Sequence, residues 1–431
     1  MTNYEIINNN VESVNNKVEP KLELYRGKLY CYIIKLFITD CVNIFGYKIF
    51  SIKKSVSRTI TNLLSSWILS MYIDYDYSGD YFFPNNFSNT DTLKDTLLDL
   101  SKYDKTLIDV NNKINILINR LIKNYKYQLY LLSEYKISQQ FNYNKNNYNI
   151  TKSLITIKKT NFYKFNITSN IIIKDNRLIN ILNNILLPTD VYDKMILNYK
   201  INNINNVDNL IWAIVYRYQL LGSNNHQLGV LPNILNKMKD DYNLNFECFA
   251  SSINFTFPNY CSIYYDIEKY FGSQGNFFRI IPIKGTYSFN PPYQKHIMDI
   301  SIHKLFYYLD NTQECNNLTF IITIPIWDIE GQTIMSSKQY TTQSNHNITS
   351  SNQPIMLSNQ NIIDYGDFDI INKIKISKYF KGLRMIPKED FTYMDHNFNL
   401  YKNKTIQNTY IIVLSNQDID INKINNYNFN I

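Results

Sequence analysis

Gly285-Thr286-Tyr287-Ser288-Phe289-Asn290-Pro291-Pro292-Tyr293 is the stretch whose reading decides the fold. An apolar, strand-like run breaks into Asn-Pro-Pro-Tyr and then into a helical pattern. Each proline lacks a backbone N–H and fixes φ, so two in succession have no place inside a helix or a central strand. The chain must leave the sheet here as a rigid loop. Such a loop suits the chemistry of an exocyclic amine such as that of adenine. The lone pair of that nitrogen is delocalised into the ring, and an enzyme acting on it must hold its two hydrogens with well-placed acceptors. The side-chain carbonyl of Asn290 and the backbone carbonyl of Pro291 would be those acceptors, and a base stacked on Tyr293 would gain about 1–3 kcal/mol. Asn-Pro-Pro is also a common turn, so the weight of this reading rests on its surroundings.

Downstream, Ile297, Met298, Ile302, Leu305, Phe306 and Leu309 recur at helical spacing, which predicts a helix over 294–309. The loop therefore falls at the C-terminal end of a strand and before a helix, where ligands of doubly wound sheets bind. From Gly222 onward short β-branched runs alternate with helical runs, the texture of a parallel α/β sheet. The pattern predicts a helix over 235–240 and strands over 246–250, 287–289, 319–326 and 410–414. Upstream, residues 22–71 and 92–136 carry apolar positions at helical spacing, as in Leu29, Ile33 and Phe37 or Leu93, Leu97 and Leu100. Helices are also predicted after Pro188 and over 209–221, while 153–157 and 171–173 read as strands or insertions. The expected organisation is a polar tail over 1–20, a mainly α-helical domain over 21–185 and an α/β domain over 186–431.

Composition agrees with a folded chain. Its 431 residues are 45% hydrophobic and 15% aromatic, enough for two cores of ordinary size. The formal charge of +8 favours an anionic partner, nucleic acid first, although Lys-rich codon usage alone would also produce it. Heavy use of Asn, Ile, Tyr and Lys tracks AT-rich codons, as in a large DNA virus or a protist. Cys31, Cys41, Cys248, Cys261 and Cys315 lack paired spacing, which argues against a disulfide framework and a zinc ribbon and fits a reducing compartment. His296 and His303 do not make a metal pair, so no metal is expected. The most apolar run, 30–45, is interrupted by Lys35, Asp40 and Asn43, and the N-terminus is polar and acidic, so a soluble protein without a signal peptide is expected.

The run Phe246-Glu247-Cys248-Phe249-Ala250-Ser251, with Asn254, Tyr260-Cys261-Ser262, Asp266 and Tyr270-Phe271-Gly272-Ser273, resembles the phosphorylated-CTD-interacting-factor family of cap-specific adenosine N6-methyltransferases. The Asn-Pro-Pro-aromatic loop follows at the family's spacing. The similarity runs from about Gly222 to Trp327, taking in Leu231-Pro232 and Ile324-Pro325, and returns near Phe380-Lys381, Ile386-Pro387 and Asn408-Thr409. The resemblance implies a Rossmann-like methyltransferase domain that moves a methyl group from S-adenosyl-L-methionine to N6 of the first transcribed adenosine of capped mRNA. Asn290, Pro291, Pro292 and Tyr293 match the family's catalytic loop one by one, with Tyr in place of Phe. Ser288 stands where the family tends to be acidic, and Ile326 where it has Glu. Trp67, Trp212 and Trp327 lie too far apart to form the family's WW module, so docking to a phosphorylated polymerase tail is not implied. The rival readings are a DNA or internal-RNA adenine methyltransferase and a silent RNA-binding subunit. If the source is a large DNA virus, the site of action would be the host cytoplasm or a viral factory, and otherwise the nucleus.

The cofactor residues can be read in their own terms. No Gly-x-Gly loop is present, and S-adenosyl-L-methionine has no pyrophosphate for one to cradle. Glu247, at a strand end, would take the ribose hydroxyls or the methionine ammonium, Phe249 would cover the adenine, and Ser251 or Asn254 would fix the carboxylate. Phe271, Gly272 and Ser273 are further candidates, while Cys248 and Phe249 also read as plain core. For the capped RNA end, Lys373, Lys375, Lys378, Lys381, Arg384 and Lys388 crowd positive charge around Tyr379 and Phe380. Lys378, Lys381 and Arg384 are the candidate RNA contacts.

Overall fold

The computed structural model describes residues 4–6, 18–53, 55–73, 79–87, 90–102, 104, 106–141, 149–168, 173–199, 207–222, 228–312, 316–325, 366–395, 402–404, 408–425 and 427. A short strand β1 (Tyr4–Ile6) precedes the helices α1 (Pro20–Phe45), α2 (Val56–Met71), α3 (Asp91–Ser101) and α4 (Val110–Phe141). Next come β2 (Asn149–Ile157), β3 (Thr160–Thr168), α5 (Asn176–Asn183), β4 (Leu186–Pro188), α6 (Thr189–Asn198) and α7 (Val207–Leu221). The second half carries β5 (Leu228–Val230), α8 (Pro232–Tyr242), β6 (Leu244–Glu247), α9 (Tyr265–Glu268), β7 (Ile280–Pro282), β8 (Gly285–Phe289), α10 (Lys295–Asn311) and β9 (Leu318–Pro325). It closes with α11 (Gly366–Ile376), β10 (Phe380–Ile386), β11 (Tyr393–Asp395), β12 (Lys402–Lys404) and β13 (Thr409–Ser415).

Local chemistry explains the ends of these elements. α1 and α8 start at Pro20 and Pro232, where a missing N–H costs nothing. Ser55 caps α2 by accepting from the Arg58 N–H, and Asp175 caps α5 by accepting from Leu178 N–H at 3.0 Å. Asn243, at φ 56°, ends α8 and turns the chain into β6.

The central sheet runs in the order β10-β13-β9-β8-β6. β6, β8 and β9 are parallel, whereas β13 is antiparallel to both β9 and β10, so the sheet is mixed and not all-parallel as the sequence pattern suggests. Strand periodicity cannot signal this, because a strand buried on both faces looks the same in either direction. Alternate residues of β9 and β13 divide between two cores. Phe320, Ile322, Ile412 and Leu414 join the large core shared with the helices of the first half, while Ile321, Ile411 and Val413 pack with α8, β5 and β11.

Three details of the first half bear on the expected organisation, and 153–157 are a strand, as one of the two readings had it. Part of the supposed tail is a strand, since Tyr4–Ile6 pairs with Ile280–Pro282. Residues 153–157 belong to a hairpin of β2 and β3, while 171 and 172 lie outside the described residues. β4 pairs with β3, so the sequence-based boundary at 185/186 runs along the edge of one three-stranded sheet.

α7 is buried almost throughout and brings Arg217, 1% exposed, into the interior. The guanidinium donates to Glu23 at 2.7 and 3.0 Å and to Asp266 at 2.8 Å twice. Arg26 bridges the same Glu23 to Asp80 at 2.5 and 2.6 Å. Against the opposing effect of burial, Arg217 and Arg26 hold the Glu23 carboxyl below its ordinary range. This cluster ties α1 and α7 to α9, which carries Asp266.

Candidate active site

β6 and β8 lie side by side with Glu247 level with Ser288, so the residues that follow each strand emerge at the same edge of the sheet. β6 stops at Glu247, three residues short of the expected end. The Cys248 N–H donates to Ser288 O at 2.8 Å and the Ala250 N–H to Cys261 O at 2.9 Å, which bends 248–250 across the top of the sheet. Asn290 to Tyr293 leave β8 beside them. Together they line a cleft of ≈ 810 Å³, open mouth included, with Phe277 and Phe278 as one wall and Tyr218, Leu221 and Leu228 as another.

Two hydrogen bonds orient Asn290. Its Nδ2 donates to Leu228 O at 3.2 Å, and since a carbonyl can only accept, the amide oxygen must face the other way. There it accepts from the Tyr293 hydroxyl at 2.5 Å. The Tyr293 ring lies 6.1 Å from that of Tyr393, edge-on, and Tyr393 shares a hydrogen bond with Thr409 at 2.9 Å. Gln294 N–H donates to Pro292 O at 2.7 Å and closes the loop into α10. The loop is thus held from β5, β11 and its own helix.

The expected cofactor residues separate into two groups. Phe249 and Asn254 line the cleft. Phe249 packs 4.8 Å from Phe277 and 5.3 Å from Phe289, leaving an aromatic wall at the β6 end. Ser251 lies one turn behind: its N–H and hydroxyl both donate to Asn254 Oδ1, at 2.7 and 3.0 Å, so it positions Asn254.

Glu247, Phe271, Gly272 and Ser273 are not among the residues lining the cleft. Glu247 turns back under the loop, where Oε1 accepts from the N–H groups of Thr256 and Phe257 at 2.5 and 2.8 Å. Burial pushes its carboxyl up to about 7 against those hydrogen bonds and the nearby Lys194. Lys194 itself is lowered to about 8 by burial, donates to Phe255 O at 2.5 Å and lies over the Phe255 ring. Phe271 is fully buried against Tyr199. Gly272 sits at φ +110°, with Pro258 O where a Cβ would fall. Ser273 hydrogen-bonds Ser262 at 2.7 Å and so supports a residue that does reach the cleft.

The proposed RNA contacts are misplaced for this cleft. Through β13 and β9, Phe380 is level with Tyr287 and Leu383 with Phe289, so β10 starts beside the middle of β8 but three places away from it in the sheet. Lys378 and Lys381 are therefore separated from Asn290 by the width of β13 and β9. They pair with Asp310 at 3.0 Å and Asp418 at 3.6 Å. Arg384 donates to Ile424 O and Tyr427 O at 2.5 and 3.0 Å, a structural tie for the C-terminal segment. A short run of charges in sequence carries no information about where in a sheet its strand lies.

Sequence reasoning also missed cleft residues that come from distant elements, such as Tyr72 after α2 and Asn276, whose Nδ2 donates to Tyr72 O. Glu268 does not line the cleft. Its carboxyl is fully buried, pushed up to about 7 by that burial, and accepts from Ser252 N–H at 2.7 Å and Tyr218 OH at 2.9 Å. Of the two family departures, Ser288 is buried in β8 and Ile326 lies outside the described residues. Cys31, Cys41, Cys248 and Cys261 are free and buried. No helix among the described residues is long and apolar enough to cross a membrane.

Residues 189–358 match the family model described as phosphorylated CTD interacting factor 1 WW domain. Over that segment the chain is phosphorylated-CTD-interacting-factor-like. It is similar to the mRNA (2'-O-methyladenosine-N(6)-)-methyltransferases of Homo sapiens and Mus musculus, each 32% identical over 123 residues. That alignment takes in 27% of this chain and 17% of each relative's length. The family-like segment contains α6 through β9, and so both strand ends and the 290–293 loop. Trp212, the tryptophan it places among described residues, is buried in α7.

Proposed function

We propose that the chain methylates N6 of the cap-adjacent adenosine of capped mRNA, with S-adenosyl-L-methionine as methyl donor, on a Rossmann-like domain. The observation that carries this reading is Asn290. Its amide is oriented by Leu228 and Tyr293 just past the C-terminal end of β8, on the lining of the cleft and at the sheet edge where ligands of doubly wound sheets bind. The Tyr293 hydroxyl occupies one lone pair of Asn290 Oδ1, and the second remains for an N6 hydrogen. With the Pro291 carbonyl on the other hydrogen, the nitrogen lone pair is aimed out of the base plane.

The residues present fit the donor. Phe249 and Phe277 would face its adenine, and Asn254 its polar end. When bound, S-adenosyl-L-methionine supplies an electrophilic methyl group on sulfur. The protein's part is to exclude water with its aromatic walls, hold the amine in line and accept its hydrogens. A terminal nucleotide needs little unstacking to reach such a cleft.

The test is methyl transfer from labelled S-adenosyl-L-methionine to matched RNAs beginning with capped A, uncapped A or capped G. Label on capped A, mapped to N6 and lost in Asn290→Ala, is the expected result. Equal labelling of uncapped RNA or of DNA would replace the cap requirement with general adenine methylation. Absence of label with every substrate would overturn the catalytic reading.

A further inference from the structure

A second, larger groove of ≈ 1820 Å³, open mouth included, lies between α1, α4 and the start of α5. On α1, beside the buried Leu24 and Leu29, the lysines and tyrosines that line it fall in two interleaved rows of seven-residue spacing: Lys21, Lys28 and Lys35, and Tyr25 and Tyr32. Seven residues bring a helix back to almost the same face, so the rows run along it for about 21 Å at about 1.5 Å per residue. α4 supplies Tyr127 and Tyr135 from the opposite wall, and Lys174 closes the side. At one end Tyr25 stacks on Tyr135, with centroids 4.1 Å apart at 17°, and Lys21 lies over the same ring. Toward the other end Tyr32 and Tyr127 stay 48% and 57% exposed, large rings with much of their surface in water. Asp175, the one acidic side chain among the described residues of the lining, has its carboxylate engaged in capping α5.

We infer that this groove binds single-stranded RNA, with Lys21, Lys28, Lys35 and Lys174 along the phosphates and the Tyr32 and Tyr127 rings as stacking platforms. Cations alone would suit any polyanion. Cations alternating with exposed rings along one track suit a strand whose phosphates and unpaired bases alternate as well. The groove is formed by the first-half helices and does not share its polar residues with the Asn290 cleft, so the inference stands apart from the methyl-transfer reading.

The experiment measures anisotropy of a 5′-fluorescein-labelled, uncapped single-stranded RNA of mixed sequence with the full chain, over a range of salt. Tyr32→Ala combined with Tyr127→Ala is expected to weaken binding roughly tenfold or more. Tyr32→Phe with Tyr127→Phe, which keeps the rings, should bind like the parent. Lys28→Gln with Lys35→Gln should weaken binding and flatten the dependence of log affinity on log salt by roughly 0.7 per lysine. All four side chains are exposed, and thermal melting verifies that each variant is folded. Parent-like affinity in both the alanine and glutamine variants would overturn the proposal. So would a loss confined to the lysine pair, which would reduce the groove to a patch of charge.

Discussion

Glu247→Gln separates two roles for a residue that sequence alone assigns to the cofactor. In the structure the carboxyl is buried, serves the Thr256 and Phe257 N–H groups, and is raised from 4.5 to about 7. A tenfold change in a proton equilibrium is about 1.4 kcal/mol, so holding this group ionised costs the folded state about 3 kcal/mol. The folded state binds its proton more tightly than the unfolded chain, so stability must fall as pH rises. The cost is absent below about pH 4.5, grows from there to about pH 7 and is complete above it. Gln keeps the shape and one carbonyl for the two N–H groups, and carries no charge to desolvate. Relative to the parent, the variant should therefore gain about 2–3 kcal/mol between pH 5 and pH 8, on top of a pH-independent cost of about 1–3 kcal/mol for its unpaired amide. Urea denaturation at the two pH values reads the difference. Because Glu268 titrates in the same window, the comparison between variant and parent isolates Glu247. An equal loss of stability at both pH values would refute the reasoning. So would a folded Glu247→Gln chain that loses S-adenosyl-L-methionine binding tenfold or more in a calorimetric titration, since the carboxylate would then reach the cleft.

Four other substitutions follow from the same geometry. Tyr293→Phe removes the hydroxyl on Asn290 and leaves the ring, so stability should drop by about 0.5–1.5 kcal/mol and methyl transfer by less than tenfold. Asn290→Ala, which removes the acceptor itself, should lower the rate roughly 10²–10³-fold, by analogy with loss of a single preorganised polar contact. Gly272→Ala must place a Cβ 2.2 Å from Pro258 O at φ +110°, and its denaturation midpoint should fall by the equivalent of about 2 kcal/mol or more. Arg217→Met takes the guanidinium from the partly buried Asp266 and leaves Glu23 with Arg26 alone, and chemical denaturation should register a loss of about 3 kcal/mol.

Local sequence was enough for the elements and for the Asn290–Tyr293 loop. Two prolines after a strand and before an amphipathic helix specify a rigid exit at a strand's C-terminal end, and Asn290 to Tyr293 are found there. Helical and strand periods likewise located α8, β8, α10, β9 and β13, because burial of one face repeats along the chain. Direction and long-range placement were settled only in three dimensions. β13 runs against its neighbours, and the strand order leaves β10, with Lys381, separated from β8 by β13 and β9. Neither fact leaves a local mark, since strand direction depends on connections dozens of residues long. Glu247 shows the same limit at one side chain. A carboxylate at a strand end reads as a ligand until the fold brings the Thr256 and Phe257 N–H groups to it. The two rows on α1 are the converse case. Their seven-residue spacing is visible in the sequence, but whether such a face is core or open groove depends on what packs against it, and here α4 leaves it open.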